Sequence, residues 1–391
     1  EYAERTNIYR SFTGYPMFLT INTAPSRNPD STFKPHPIML NKTFRQALLY
    51  GFDRIDYNAN YDIPNVPSFI PVPSDIKMYI QDDRFYTDTP QYLELLQSMG
   101  INPETYGYQP TKALALFDEA YNAWIAEGNT GPVVLKLITS DSDIAKANGA
   151  RVKAVLEDLF GVDRLSINHV FLDSQQRSQT TAAWDFDLTL GGIGFGGSRG
   201  VWWQMGAISF YGGMLGGADL GLSQPWTTDP VTGEQVEAPY VSEIIEVELQ
   251  ATYEYLLELG EEHLLANDLT GHLQMLNWLK EEVNDEGVVV KPAGTLKVTV
   301  EDISTYYFSF NDTPYDGTAQ ERFPGGTNDG WTIATALLRV FYDHVTHIPT
   351  GGSADATLYA DKVTIEWPAY STAFGWGANR YRFLNTDPDF Q

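Results

Sequence analysis

The sequence has no cysteine and few basic residues. The absence of cysteine from its 391 residues excludes disulfide frameworks, thiolate zinc sites and cysteine nucleophiles. Only 25 Lys and Arg stand against 51 Asp and Glu, a net charge of −26. No nucleic-acid partner is expected, because little positive charge is available to neutralise phosphates. No stretch reaches the roughly 18 consecutive apolar residues of a membrane helix. Since Glu1 comes first, with no apolar leader after it, we expect any targeting segment to have been removed or never to have been part of this chain.

The composition that is present can form a large core. Hydrophobic residues make up 43% of the chain, which excludes general disorder. The length predicts two or three domains, or one large α/β lobe with an appendage. Strands are predicted at Tyr15–Asn22, Val133–Ile138, Leu165–Phe171 and Trp184–Leu190, with a helix at Ile144–Phe160. This alternation predicts a βαβ unit and a mainly parallel sheet.

Helical spacing of apolar residues recurs along the rest of the chain. A hairpin turn is expected at Asp229–Glu234, and β structure at Leu296–Phe310 and around Val363–Trp367. The two acidic segments among the predicted helices are typical of a solvated outer layer. The helices are predicted at Thr43–Asp53, Gln91–Met99, Thr111–Glu127, Trp331–His344 and, for the acidic pair, Glu243–Leu259 and Glu261–Glu282.

The segment Gly191–Gly200 reads GGIGFGGSRG and matches two motifs weakly. A G-x-S-x-G pattern surrounds Ser198, as in a hydrolase nucleophile elbow, but the predicted strand ends several residues before it. A G-x-G-x-x-G pattern begins at Gly192, without the acidic residue that a dinucleotide fold places at a strand end. A simpler interpretation is a glycine loop at a strand end that lets a ligand approach closely, with Phe195, Trp202 and Trp203 as its walls. The alternative is that these aromatic residues pack in the core.

No metal or cofactor is predicted. His344 and His347 are three residues apart, but no third ligand stands near them in the sequence. An apparent calcium loop beginning at Asp312 has Pro314 and Phe323 at two ligand positions, which excludes it.

The order of several segments resembles a known family. The segment FLTIN (Phe18–Asn22) is followed by NKTFRQALLYGFDR (Asn41–Arg54), and later by WDFD (Trp184–Asp187) and WPAYSTAFGW (Trp367–Trp376). In this order they resemble the extracellular solute-binding proteins of the oligopeptide-binding type, family 5, the substrate-binding components of ABC importers. The likeness spans nearly the whole chain, and the helix motif is its most specific part.

The resemblance implies an α/β fold of the type II periplasmic-binding-protein class, in which two lobes close over a ligand. The expected parts are a hinge strand with a remnant of the first lobe (1–23), a second lobe with a mixed sheet flanked by helices (24–342), and a return to the first lobe (343–391). Much of the first lobe would then precede this chain. A monomer is expected, at the extracellular face of the membrane or in the periplasm, with membrane contact only through a lipid on a lost N-terminal cysteine.

The resemblance also implies a function and a site. The protein would capture oligopeptides and deliver them to the ABC permease subunits, without catalysis. The family's aspartate for the peptide amino terminus is missing from Gly191–Gly197, so Asp187 or Asp219 would substitute, or the ligand differs. Arg45 and Asp53 are expected to be structural. The alternatives are an oligosaccharide receptor and a secreted serine hydrolase that uses Ser198 with His263, His272, His344 or His347 as base. The predicted ligand-binding residues are Phe18, Asn22, Gly192, Phe195, Arg199, Trp202, Trp203 and Gln204.

Overall fold

The computed structural model describes residues 6–23, 31–59, 66–72, 85–192, 227–228, 232, 235–236, 243–300, 302–303, 327–360, 363–365, 370–371, 375–376 and 381–383. The helices within these ranges are α1 (Lys42–Gly51), α2 (Arg54–Asn58), α3 (Pro90–Ser98), α4 (Pro110–Ala126), α5 (Asp143–Phe160), α6 (Ser174–Ala182), α7 (Gln250–Leu259), α8 (Glu261–Ala266), α9 (Thr270–Leu279) and α10 (Thr327–His344). The strands are β1 (Thr6–Ile21), β2 (Val133–Ser140), β3 (Leu165–Leu172), β4 (Leu188–Gly192), β5 (Thr227–Thr228), β6 (Gln235–Val236), β7 (Ile244–Glu248), β8 (Glu282–Val283), β9 (Val289–Lys291), β10 (Thr295–Thr299), β11 (His347–Ala360), β12 (Val363–Ile365), β13 (Tyr370–Ser371), β14 (Gly375–Trp376) and β15 (Tyr381–Phe383).

A mixed sheet of five strands, in the order β11-β1-β4-β2-β3, organises the molecule. β2 lies parallel to both β3 and β4, whereas β1 is antiparallel to β4 and to β11. Helices α5 and α6 both pack against β2 and β3. The predicted βαβ unit, with α5 between β2 and β3, and the predicted mixed sheet flanked by helices are therefore confirmed.

The long strands β1 and β11 extend beyond the rest of the sheet. β1 pairs with β4 only from Met17 to Ile21, whereas its pairing with β11 continues back to Thr6. Their register shifts between Phe12 and Pro16 and again between Met17 and Phe18. Such irregularities bend a strand pair. The outer halves of β1 and β11 therefore form a two-stranded ribbon that bends where it leaves the sheet.

The helix motif that carried the resemblance folds as predicted. The Asn41 side chain caps α1 by accepting from the Phe44 amide, and the Asp53 side chain caps α2 by accepting from Ile55 and Asp56. Arg45 is buried and donates to the carbonyls of Met39 and His344. Arg45 and Asp53 are thus structural, as expected.

A second group of elements packs beside α10. β7 pairs with β10, α9 contacts β10, and α10 contacts β7 and α1. β8 and β9 form a separate hairpin after α9. β5 pairs with β6 on either side of the expected hairpin turn at Asp229–Glu234, most of which lies outside the described residues.

Several predicted elements were wrong in part. The predicted helix at Glu243–Leu259 begins as strand β7, because Ile244, Ile245 and Val247 are β-branched and pair with β10. The predicted strand at Trp184–Leu190 begins only at Leu188, because Trp184 has a positive φ of 62° and turns the chain after α6. Among the described residues, no helix combines the length and apolar character needed to cross a lipid bilayer.

Candidate ligand-binding site

The two ends of β4 lie in different surroundings. Its carboxyl end, Gly191 and Gly192, lies beside the carboxyl end of β2 and the point where the β1–β11 ribbon leaves the sheet. Its amino end, preceded by Asp187, lies beside Ile21, where β1 ends. Ligands of open α/β sheets bind outside the carboxyl ends of parallel strands. The carboxyl end of β4 is therefore the candidate site.

The two glycines at the carboxyl end have different roles. A Cβ atom on Gly192 would lie 2.6 Å from Met17 Sδ and 3.2 Å from the Pro16 carbonyl oxygen, so glycine permits close packing against β1. A Cβ atom on Gly191 would meet no described residue within 4 Å. None of the described residues therefore blocks a close approach to the backbone at Gly191.

Phe18 is brought to this place by the register of the sheet. It pairs with Gly191 on one side and with Pro349 on the other. Its side chain is fully buried, with its ring edge-on to His347 at a centroid distance of 5.9 Å. In this conformation Phe18 packs between β1 and β11, and its predicted contact with a ligand stays a prediction.

Asn22 lies at the opposite end of β4 from Gly192. Its side-chain amide donates to the carbonyls of Trp184 and Phe186, both at 2.9 Å, and its backbone amide donates to the Asp187 carbonyl at 2.8 Å. These bonds hold the turn that follows α6. Asn22 therefore has a structural role, about five strand residues, roughly 16 Å, from Gly192 at the carboxyl end of β4, and its predicted contact with a ligand stays a prediction.

Asp187 is occupied by internal hydrogen bonds. Its two carboxylate oxygens accept from the backbone amides of His36 and Lys136, each at 2.7 Å. Burial raises the pKa of Asp187, and the two backbone hydrogen bonds partly oppose that shift. Since both oxygens are engaged at the amino end of β4, Asp187 does not replace the missing aspartate at the glycine end.

The sequence analysis missed Arg177, which lies at the carboxyl end of β4. Its guanidinium donates from Nη2 to the Leu190 carbonyl at 2.5 Å, and its buried Nε has no hydrogen-bond partner in the described part of the chain. Burial lowers the pKa of Arg177. It belongs to α6, whose amino end is capped by Asp173. The Asp-Ser-Gln-Gln-Arg sequence carried this capping signal, although no apolar stripe accompanied it.

A fully buried histidine of β11 pairs with Thr20 of β1. Burial lowers the pKa of His347 to about 3, so its ring is neutral at physiological pH. Its Nδ1 lies 3.0 Å from Thr346 Oγ1, whereas its Nε2 and the neighbouring Thr20 Oγ1 have no partner among the described residues. His347 therefore cannot join His344 in a metal site.

His344 instead belongs to a cluster with Glu243 and Asp343, whose ligand atoms lie within 4.8 Å of one another. Its Nε2 lies 2.8 Å from a Glu243 carboxylate oxygen, and Lys42 forms an ion pair with Asp343. The cluster is held together by its own hydrogen bonds and ion pairs. It therefore closes the contact between α10, α1 and the start of β7.

The remaining predicted residues lie outside the described ranges. They are Phe195, Arg199, Trp202, Trp203 and Gln204, together with Ser198 and Asp219 of the alternative interpretations. Of the four histidines considered as a base for Ser198, His347 is buried between β11 and β1, and His344 is hydrogen-bonded to Glu243. Nothing in the described residues supports the hydrolase.

Comparisons with known proteins find a similarity in sequence over part of the chain. No family model matches the chain. The oligopeptide-binding protein AliB of Streptococcus pneumoniae, in each of two strains, is 27% identical over 176 residues, which are 40% of this chain and 26% of the relative. The match thus spans about a quarter of the curated relative's length.

Solved structures with some likeness include HbpA2 from Haemophilus parasuis, at 12% identity and a TM-score of 0.49, over 97% of this chain and 50% of that one. The substrate-binding domain of an oligopeptide ABC transporter from Bacillus anthracis gives 13% identity and a TM-score of 0.48, over 93% and 48%. In both cases the chain covers about half of the solved one. On the sequence match to AliB, the resemblance to solute-binding proteins of the oligopeptide-binding type is confirmed.

Proposed function

We propose that this chain is part of a solute-binding protein that captures oligopeptides outside the membrane and passes them to an ABC importer. The observation that carries the proposal is the 176-residue similarity to a protein named for oligopeptide binding. A function of binding without catalysis fits the site. Its described part offers backbone groups and the guanidinium of Arg177, and it contains no acid paired with a base. We place the second lobe at 24–342, with the flanking segments 1–23 and 343–391 in the first lobe.

The β1–β11 ribbon supplies the hinge of this proposal. The chain enters and leaves the α/β body on neighbouring antiparallel strands, and the ribbon bends at the register shifts beside Pro16 and Phe18. Hinges of this kind absorb the change of backbone angles while the lobes move as bodies. Closure about the ribbon would cover the carboxyl end of β4, since both lie at one edge of the sheet.

The loop that follows Gly192 would set the specificity. Gly191 leaves room for a peptide backbone, and Arg177 fixes the strand end from which the loop departs. Phe195, Trp202 and Trp203 would supply apolar walls for side chains, with Arg199 and Gln204 as polar contacts. Aromatic walls with a few polar groups are the usual composition of a ligand site.

Native mass spectrometry of the full-length protein, as purified, tests the proposal. The expected result is a heterogeneous ladder of bound peptide masses that disappears on denaturation. A ladder with hexose spacing would contradict peptide capture and favour the oligosaccharide receptor. Labelling of Ser198 by a fluorophosphonate would favour the hydrolase.

A double substitution tests the site itself. Trp202→Ala with Trp203→Ala should weaken peptide binding by about tenfold or more, because aromatic side chains dominate such contacts. The matched control is Tyr255→Ala on α7, an exposed aromatic far along the chain from the glycine loop, which should leave affinity unchanged. Equal affinity of the double variant and the control, measured by calorimetry, would contradict the site.

A further inference from the structure

The hairpin of β8 and β9 exposes an unusual amount of apolar surface. All of residues 281–290 are exposed. Four of them are valines, with relative exposures of 54% for Val283, 55% for Val288, 47% for Val289 and 54% for Val290. Single exposed apolar residues are ordinary, but a cluster of large ones marks an interaction surface. We call these four residues the valine patch.

Hydrogen bonds and an ion pair hold the turn and the base of the hairpin. Asn284 organises its turn, because its side chain accepts from the amides of Glu286 and Val288, and Gly287 takes the positive φ of 77° that the turn requires. At the base, the Lys291 ammonium is buried, where it pairs with Glu282 at 2.6 Å and donates to the Trp278 carbonyl at 2.5 Å. The valine patch is therefore held at a fixed position on the end of α9. β-branched side chains also lose little rotamer freedom on binding.

The charges around the valine patch are negative, and they favour a basic partner. Glu281, Asp285 and Glu286 are exposed on the same hairpin, and none of them forms an ion pair within the described residues. Lys291 is the first basic residue that follows these acids in the sequence, and it is already paired with Glu282. The hairpin thus presents apolar residues along its two arms and unpaired negative charge at its turn, with Glu281 beside its base.

This combination disfavours two other occupants. A second copy of a chain with net charge −26 would bring like charges together. An anionic membrane surface would repel the same carboxylates. A protein with an apolar pocket and a basic rim satisfies both the valines and the acids.

We infer that the β8–β9 hairpin is a docking element for a partner protein whose surface is basic around an apolar pocket. The identity of that partner as an extracellular part of the ABC permease rests on the proposed function. The hairpin would then serve delivery, whereas the glycine end of β4 serves capture, so the two activities can be separated by substitution.

Photo-crosslinking in cells that carry the transporter tests the inference directly. The probe is p-benzoylphenylalanine placed at position 288 of the full-length protein, with the same probe at position 162 as a control, since Val162 is 62% exposed elsewhere on the surface. A crosslink from 288 to a basic segment of a permease subunit, absent from 162, is expected. It should fall about tenfold when Asp285→Lys and Glu286→Lys are introduced. A crosslink from 288 to lipid or to a second copy, or equal crosslinks from both positions, would overturn the inference.

Transport separates this inference from the proposed function. The triple variant Val288→Ser, Val289→Ser, Val290→Ser should bind peptide within about twofold of the parent but import it about tenfold more slowly, because only docking is lost. Val162→Ser should change neither quantity. Normal import by the triple variant would refute docking and leave peptide capture intact. A purified parent protein that carries no peptide, yet still crosslinks from position 288 to a basic membrane protein, would refute peptide capture and leave docking intact.

Discussion

The two ends of β4 differ in how their polar groups are hydrogen-bonded. At the amino end, the carboxylate of Asp187 and the side-chain amide of Asn22 are consumed by backbone groups of the 31–36 segment, of β2 and of the turn after α6. At the carboxyl end stand two glycines and Arg177, whose Nε has no partner among the described residues. The hydrogen bonds of Asp187 and Asn22 stabilise one end, whereas at the other end Arg177 Nε has no hydrogen-bond partner among the described residues and a Cβ atom on Gly191 would meet none of them.

This difference explains how a binding site can sit on a stable sheet. Buried polar groups cost free energy unless they are hydrogen-bonded, so a satisfied network fixes one arrangement. A site that must admit a ligand cannot be satisfied internally to the same degree. The amino end of β4 therefore keeps the strand in register, while the carboxyl end is where we propose that a ligand binds.

We expect the largest difference in stability between the two ends when one aspartate at each end is replaced by alanine. Asp187→Ala should lower the free energy of unfolding by about 2–3 kcal/mol, because two backbone amides lose their acceptor. The measurement is urea denaturation of the full-length protein at neutral pH.

Asp173→Ala provides the matched control at the carboxyl end. Asp173 caps α6 through the Gln176 amide and is exposed, so its loss should cost about 1 kcal/mol. If the two variants lose the same stability, the amino end of β4 is no more tightly built than the carboxyl end.

A pH experiment sharpens the comparison at His347, which pairs with Thr20 near the amino end of β4. The unfolded chain takes up a proton on this histidine near pH 6.5, whereas burial keeps the folded ring neutral down to its pKa of about 3. The stability that the neutral ring contributes is therefore complete above pH 6.5 and is lost as the pH falls toward 3. Between pH 6.5 and pH 5 the loss should be about 2 kcal/mol.

The variant His347→Leu isolates this contribution from that of other buried histidines. Between pH 6.5 and pH 5, the free energy of unfolding of this variant should fall by about 2 kcal/mol less than that of the parent. His263→Leu, at an exposed histidine on α8, is the control and should behave as the parent does. Equal acid sensitivity in all three proteins would show that His347 is not the source.

Much of the sheet could be predicted from the sequence because its elements are long and regular. In β2, residues Val133, Leu135 and Leu137 are buried, and the helix to β3 begins at the Ser142 cap and ends at Gly161. Helix α6 was missed because it has no buried residue and hence no apolar stripe to detect. β7 was assigned to a helix because its pairing with β10, about 50 residues away, cannot be seen in local spacing.

The site was harder to predict than the fold. Phe18 and Asn22 are four residues apart, and the resemblance placed both at the ligand. Strand direction separates them, because β1 runs from the glycine end of β4 to the Asp187 end. The unpaired Nε of Arg177 likewise depends on where β4 ends, which no local pattern reports. The predicted aromatic and polar contacts beyond Gly192 stay predictions, whereas topology decides which described residues meet at the carboxyl end of β4.

The smallest expected effect on stability, and the sharpest test of the glycine end, comes from two adjacent alanine substitutions. Gly192→Ala should lower the free energy of unfolding by about 1 kcal/mol, since its Cβ would press on Met17 and on the Pro16 carbonyl. Gly191→Ala should change it by less than about 0.5 kcal/mol, because its Cβ meets no described residue. Urea denaturation measures both values.

Peptide affinity should separate the same two variants in the reverse order. The methyl group of Gly191→Ala would occupy the space into which a ligand backbone approaches, so calorimetry should show a loss of about tenfold. Gly192→Ala should lose less, because its methyl group points at β1. If Gly191→Ala binds peptide as tightly as the parent, the ligand does not approach β4 at Gly191, and the strand end then serves only to position the loop that follows it.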